Sequence, residues 1–246
     1  GGPVIQVPMA RFTSTSELGS IWVLNTHHQT TGANADTAMR DSAVLAEVKA
    51  LRQLQASDPK TPIFLTGEMN DKARFKQLFL SQMPGWTTAN PDGAQVDWIM
   101  GSPAGTFSGT VVDPSTNDQA NNYTDHPFIH TTAQLRHSAP TRTGASAGLG
   151  AMPANITATP GATASGQVLI ANANIKTRAG INAGIRALIA PAPDFITLNE
   201  VGDVPLAQMR SAAPGYGAYR EERVDKTPGG SEQSRNNAIM WRTDTW

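Results

Sequence analysis

A run of 31 residues, 136–166, constrains this 246-residue chain more than any other feature. It reads RHSAPTRTGASAGLGAMPANITATPGATASG. Of these residues 24 are Ala, Gly, Pro, Ser or Thr, and none is acidic. Such a stretch lacks the large apolar side chains whose burial offsets ordering entropy. It predicts a flexible linker. On either side lie residues 1–135 and 167–246, and both segments read as mixed α and β. The second segment offers about three strands and two helices, a thin core for an independent unit. One composite domain with the linker outside it is therefore expected, rather than two small domains.

Periodicity supplies the elements. Strands are expected at Val4–Phe12, Ser20–Asn25, Pro62–Thr66, Val96–Met100, Thr106–Val112 and Pro127–Leu135, then at Gln167–Ala173, Phe195–Leu198 and Asn237–Arg242. A helix is expected over Ala35–Gln55, with Val44, Leu45, Val48, Leu51 and Leu54 or Gln55 on its buried side. Asn70 or Asp71 is expected to cap a short helix running to Leu80. Thr177 is expected to cap another that carries Ile181, Ile185, Leu188 and Ile189, and Leu206–Ala212 forms a third. No fixed-period repeat is visible in the sequence.

Composition removes whole classes of chemistry. There is no Cys, which excludes a disulfide scaffold, Cys-ligated zinc, iron–sulfur clusters and thiol catalysis. A net charge of −1 gives no chain-wide basic footprint for nucleic acid. No apolar run reaches membrane-spanning length, so no membrane span is expected. The lack of Cys fits an extracytoplasmic enzyme, although no signal peptide is visible and the compartment stays open. No protein partner is implied.

The polar residues cluster at strand ends, where α/β proteins place their ligands. The clusters are Asn172-Ala173-Asn174, Asn199-Glu200, Asn25-Thr26-His27-His28, Gly67-Glu68-Met69-Asn70-Asp71 and Thr124-Asp125-His126, with Asp97 inside VDWIM. Carboxylates and amides with few histidines suit a hard cation, Mg²⁺ or else Mn²⁺ or Ca²⁺. Two histidines beside carboxylates suit proton transfer near neutral pH. Asp97 can hold His126 in one tautomer, as a carboxylate does in a catalytic triad. Asn174 and Asn70 can donate to a phosphoryl oxygen without adding charge. Together this is a toolkit for metal-assisted phosphoester hydrolysis.

Taken together, the blocks resemble the endonuclease/exonuclease/phosphatase superfamily, whose members include pancreatic-type deoxyribonucleases. They are Asn174-Ile175, LNEV at 198–201, AIMWR at 238–242, NTH at 25–27, GEMN at 67–70, DWI at 97–99 and TDH at 124–126. The order is rotated, with the family's first half at 167–246 and its second at 1–135. The resemblance therefore implies a circularly permuted, single-domain α/β/β/α sandwich of two packed mixed sheets. It implies that Glu200 is the main metal ligand, beside Asn174, and that Asp125 assists the metal or orients the attacking water. His126 paired with Asp97 is implied as base or phosphate contact. His27 is implied to contact the phosphate or protonate the leaving group, and Asn70 to hold the scissile phosphate. Asn25, Asn237 and Arg242 are further expected substrate contacts. His28 matches no family role.

Three positions depart from the family pattern. Glu68 replaces an Asp, Asn199 replaces a Gln, and Arg235-Asn236-Asn237 stands where some nucleases carry a Glu. The added methylene of Glu68 moves its carboxylate by about an ångström, a displacement that can cost about 10²-fold in rate. The favoured function is a divalent-metal phosphodiesterase acting on nucleic acid, with arginines at 178, 186, 220, 223, 235 and 242 as a candidate patch. The alternatives are a phosphomonoesterase or a phospholipid or sphingomyelin phosphodiesterase. A binding protein disabled at Glu68 is the alternative of another class.

Overall fold

In a computed structural model, the residues described are 7–16, 18–28, 37–90, 96–113, 124, 126–137, 164–175, 180–221 and 236–246. The first sheet is ordered β1-β2-β3-β5-β4, from β1 (Met9–Thr13), β2 (Ser20–His27), β3 (Ile63–Glu68), β4 (Thr87–Thr88) and β5 (Asp97–Gly101). The second is ordered β10-β11-β9-β8-β7-β6. Its strands are β6 (Gly105–Asp113), β7 (Phe128–His137), β8 (Ala164–Asn174), β9 (Phe195–Asn199), β10 (Tyr216–Arg220) and β11 (Ala238–Arg242). Both sheets are mixed: β2–β3 and β8–β9 run parallel, and the other pairs are antiparallel.

Helices α1 (Thr37–Ser57) and α2 (Ala73–Gln82) cover the outer face of the first sheet. Helices α3 (Ile181–Ile189) and α4 (Leu206–Ala212) cover the second. The two inner faces meet in a central core of Phe12, Ile21, Val23, Phe64, Ile99, Ile129, Val168, Ile170, Phe195, Ile239 and Trp246. The result is a four-layer α/β/β/α sandwich. Central strands buried on both faces read as nearly continuous apolar runs, which is why IWVL, PIFLT and QVLI stand out in the sequence.

The topology also contains a repeat that the residues do not advertise. The succession β1-β2-α1-β3-α2-β4-β5 recurs as β7-β8-α3-β9-α4-β10-β11, with the same strand order in each sheet. Strand β6 is the one addition, paired to the outer side of β7. The register carries the equivalence to single residues. Thr66 Oγ1 donates to Leu24 O and Asn25 Oδ1, at 2.9 and 3.4 Å. Its counterpart Thr197 Oγ1 donates to Ala171 O and Asn172 Oδ1, at 3.2 and 2.9 Å.

Several expectations are corrected. Residues 136–137 and 164–166, assigned to the linker, lie in β7 and β8. The two strands pair antiparallel, from Ile129↔Asn172 to His137↔Ala164. Residues 138–163 and Thr177 lie outside the described residues, as do Asp125, Arg178, Arg223 and Arg235. Helix α2 begins after Lys72 with no side-chain cap, so neither Asn70 nor Asp71 caps it. On α1, Leu45 is 46% exposed, whereas Glu47 is buried beside Val44, Val48 and Leu51. Strands β4 and β10 carry no period-two apolar signal and were not expected.

Candidate active site

Period-two alternation aims the polar residues into one space. On β2, Ile21 and Val23 face the central core, so Asn25 and His27 face the same way farther along. The same parity puts Thr66 and Glu68 after Phe64, Asp97 before Ile99, and Asn172 and Asn174 after Ile170. It puts Thr197 and Asn199 after Phe195, and Asn237 before Ile239. Between the sheets the lining thus changes from apolar, through amides and hydroxyls, to ionisable groups at one end.

The amide tier ties the sheets together. Asn25 is fully buried, and its Nδ2 donates across the sandwich to Leu198 O at 2.8 Å and Ala238 O at 3.0 Å. Asn199 Nδ2 answers from the other sheet, donating to Thr26 O at 2.8 Å and to Asn237 Oδ1 at 2.7 Å. Asn25 and Asn237, expected to contact substrate, therefore occupy the floor of the site. Glu221, the residue after β10, supports this floor: its Oε1 accepts from the Asn237 backbone N–H at 2.8 Å. Burial lifts the Glu221 carboxyl to about 7, against the opposing pull of that hydrogen bond and of Arg220.

The ionisable tier gathers His27, Glu68, Asp97, His126 and Glu200, with the amide of Asn174 among them. His27 Nε2 lies 3.3 Å from Glu68 Oε2 and 3.9 Å from Glu200 Oε1. His126 Nδ1 meets Asp97 Oδ2 at 2.7 Å, and its Nε2 stands 4.0 Å from Glu68 Oε1. Asn174 Nδ2 donates to Glu68 Oε2, while Asn174 Oδ1 is buried with no hydrogen-bond partner among the described residues. Glu68 is 3% exposed. Burial is the main cause that lifts its carboxyl to about 7; Asp97 and Glu200 add to the rise, and His126 and Asn174 oppose it.

Two of the three left-handed non-glycine residues among the described ones lie at the same end. Glu200 and Asn70 adopt left-handed φ angles of 59° and 49°. Such conformations cost of order 1–3 kcal/mol and persist where the surroundings enforce them. Gly67 (φ 135°) is required: an added Cβ would stand 1.9 Å from Thr26 O. Asn70 lies on the loop after β3, where its Nδ2 donates to His28 O at 2.7 Å.

Arg242 does not join the site. It sits at the opposite end of β11, where its backbone N–H reaches Asp194 O and its guanidinium grips Asp244 at 2.7 and 3.0 Å. His28, which the sequence left without a role, is buried against Glu47 of α1 with Nε2 to Oε1 at 2.9 Å. No signal in the sequence marked Glu47, because its partners lie about twenty residues away on another element.

The repeat sharpens the picture. By register, His27, Glu68 and Asp97 correspond to Asn174, Asn199 and Asn237. One half of the sandwich contributes ionisable groups, and the other contributes their neutral amide counterparts. Glu200 adds a carboxylate one residue beyond Asn199.

Among the described residues two triads can converge on a cation, each with ligand atoms within 4.8 Å of one another: His27, Glu68 and Glu200, and Glu68, Asp97 and His126. Among the described residues no helix is long and apolar enough to cross a membrane. No family model matches the chain, and no curated protein matches it. Solved structures do. An endonuclease/exonuclease/phosphatase family protein from Bacteroides thetaiotaomicron is 15% identical, over 42% of this chain and 44% of that one, with a TM-score of 0.36. The chain thus spans less than half of that protein. The human nocturnin catalytic domain with bound sulfate is 9% identical, over 96% and 86% of the chains, at 0.45. D. rerio TDP2 complexed with a single-strand DNA product is 9% identical, over 89% and 83%, at 0.43.

Proposed function

We propose that this chain is a divalent-metal-dependent phosphodiester hydrolase of the endonuclease/exonuclease/phosphatase superfamily, permuted in order, with nucleic acid as its substrate. One observation carries the reading. Residues separated by more than a hundred positions, Glu68 and Asn174, Glu200 and His27, meet at one end of the sandwich beside an Asp97–His126 pair.

The donor set fits a hard cation. Carboxylate oxygens of Glu200 and Glu68 and the buried Asn174 Oδ1, which has no hydrogen-bond partner among the described residues, are oxygen ligands of the kind Mg²⁺ or Mn²⁺ takes. Glu200 and Asn174 would hold the ion, and Asp125 would assist them. Such an ion would polarise the phosphoryl group and so make its phosphorus more open to attack.

The remaining steps belong to side chains. Asp97 keeps a proton on His126 Nδ1, leaving Nε2 to take one from the attacking water. The water oxygen bonds to phosphorus as the ester P–O bond breaks, and His27 supplies a proton to the departing oxygen. Asn70 holds the phosphate from its loop. Glu68 orients His27 and Asn174 between them.

Supercoiled plasmid incubated with the protein in Mg²⁺ or Mn²⁺ tests this. Nicking abolished by EDTA and by Glu200→Ala supports the reading. No nicking in either metal, or nicking that survives Glu200→Ala, overturns it.

A further inference from the structure

We infer that Glu47 of α1 is a positioning residue for this site, a buried carboxylate that clasps the neighbours of His27 on both sides. The inference rests on the function proposed above. Thr26 Oγ1 donates to Glu47 Oε1 at 2.6 Å, and His28 Nε2 meets the same oxygen at 2.9 Å. Alternation requires that residues 26 and 28 share a face when 27 takes the other. Fixing both to the helix layer thus presents His27 to Glu68 and Glu200.

The clasp reaches the second strand as well. The His28 backbone N–H donates to Glu68 O at 2.8 Å, and His28 O accepts from Asn70 Nδ2 at 2.7 Å. Seven residues before Glu47 on α1, Arg40 Nη1 donates to Asn70 O at 3.2 Å. One helix therefore grips the ends of β2 and β3 at two points, and His28 joins them.

Packing alone is a poor account of this arrangement. Glu47 is 8% exposed, and its Oε2 is buried with no hydrogen-bond partner among the described residues. A half-satisfied buried carboxylate costs stability, and buried ion pairs can often be replaced by apolar pairs at no loss. Its yield lies in geometry.

The experiment compares Glu47→Gln, and the apolar pair Glu47→Leu with His28→Leu, against the parent chain. Urea midpoints and far-UV circular dichroism report the fold. Hydrolysis of bis(p-nitrophenyl) phosphate in Mg²⁺ reports kcat and KM, and the Cε1–Hε1 NMR cross-peak of His27 reports its position without activity. In the folded variants kcat is expected to fall about 10–100-fold, with KM little changed and the His27 cross-peak displaced. The apolar pair keeps the urea midpoint without recovering kcat, and serves alone where Glu47→Gln does not fold. A folded variant with parental kcat, or with an unmoved His27 cross-peak, overturns the clasp. If the parent chain hydrolyses no ester, the proposed function fails, while the cross-peak still decides for or against Glu47.

Discussion

Replacing Asn25 by Ala should loosen the sandwich rather than weaken substrate binding. The side chain is fully buried and donates two hydrogen bonds into the opposite sheet, to Leu198 O and Ala238 O. Its Oδ1 also accepts from Asn199 Nδ2 at 3.2 Å and Thr66 Oγ1 at 3.4 Å. Each donated bond is worth about 1 kcal/mol net, and a stranded buried partner costs about 1–3 kcal/mol. The two strong bonds therefore set a loss of about 2–5 kcal/mol, since Ala leaves partners behind and is too small to fill the space. For a domain of this size, 3 kcal/mol lowers Tm by about 6–12 °C. Urea unfolding followed by tryptophan fluorescence, with m compared between variants, measures it. Hydrolysis at a temperature where both chains are folded should show KM within about twofold of the parent. A stability loss below about 0.5 kcal/mol together with a large rise in KM would refute the reasoning, for Asn25 would then face substrate.

Other substitutions probe the remaining tiers. Glu68→Asp withdraws the carboxylate from Asn174 and His27, and a rate loss of order 10²-fold is expected in the nicking assay; a large gain would instead mark Glu68 as the defect of a disabled site. Arg242→Ala should leave KM unchanged, because its partner is Asp244 at the far end of β11. Burial raises the Glu221 carboxyl from 4.5 to about 7, so its contribution to stability is complete below pH 4.5 and is lost as pH rises through 7. The fall in Tm between pH 5 and pH 8 should therefore shrink in Glu221→Gln. Burial alone would depress His28, but Glu47 outweighs it and leaves the imidazole raised above 6.5, so stability is lost there too as pH climbs.

Strand ends carrying Asn, Glu, His and Asp were legible because each closes an apolar run with a polar cluster, and the period of two is strict. The helical face of α1 was legible except at one place. Apolarity favoured Leu45 for the interior, yet Glu47 is buried in its stead, drawn in by Thr26 and His28 from another element. Asn25 and Asn237 were legible as polar residues near a site but not as floor, since nothing local shows that the Asn25 amide reaches across to the other sheet or that Asn237 Oδ1 is taken up by Asn199. Strand β10, YGAYR, was missed because its two small residues carry no apolar alternation; it forms through its ladder with β11. The internal repeat was invisible because it is kept in topology and in a few amides, not in a residue pattern.

Trp246 has a consequence for how the chain is made. Its ring packs 4.9 Å from that of Phe195 in the central layer, and Thr245 O accepts hydrogen bonds from the Thr15 backbone N–H and from the hydroxyls of Ser14 and Thr15. A chain leaving the ribosome has every strand of its first sheet once residue 101 is out. The face of that sheet bearing Ile21, Val23 and Phe64 gains its first fully buried partners from the opposite sheet, Ile129, Ala133 and Leu135, only with β7, and its cover is complete only when Ile239 and Trp246 follow. Until then the nascent chain carries an apolar sheet face that is bare or only partly covered, the kind of surface that recruits chaperones and seeds aggregation.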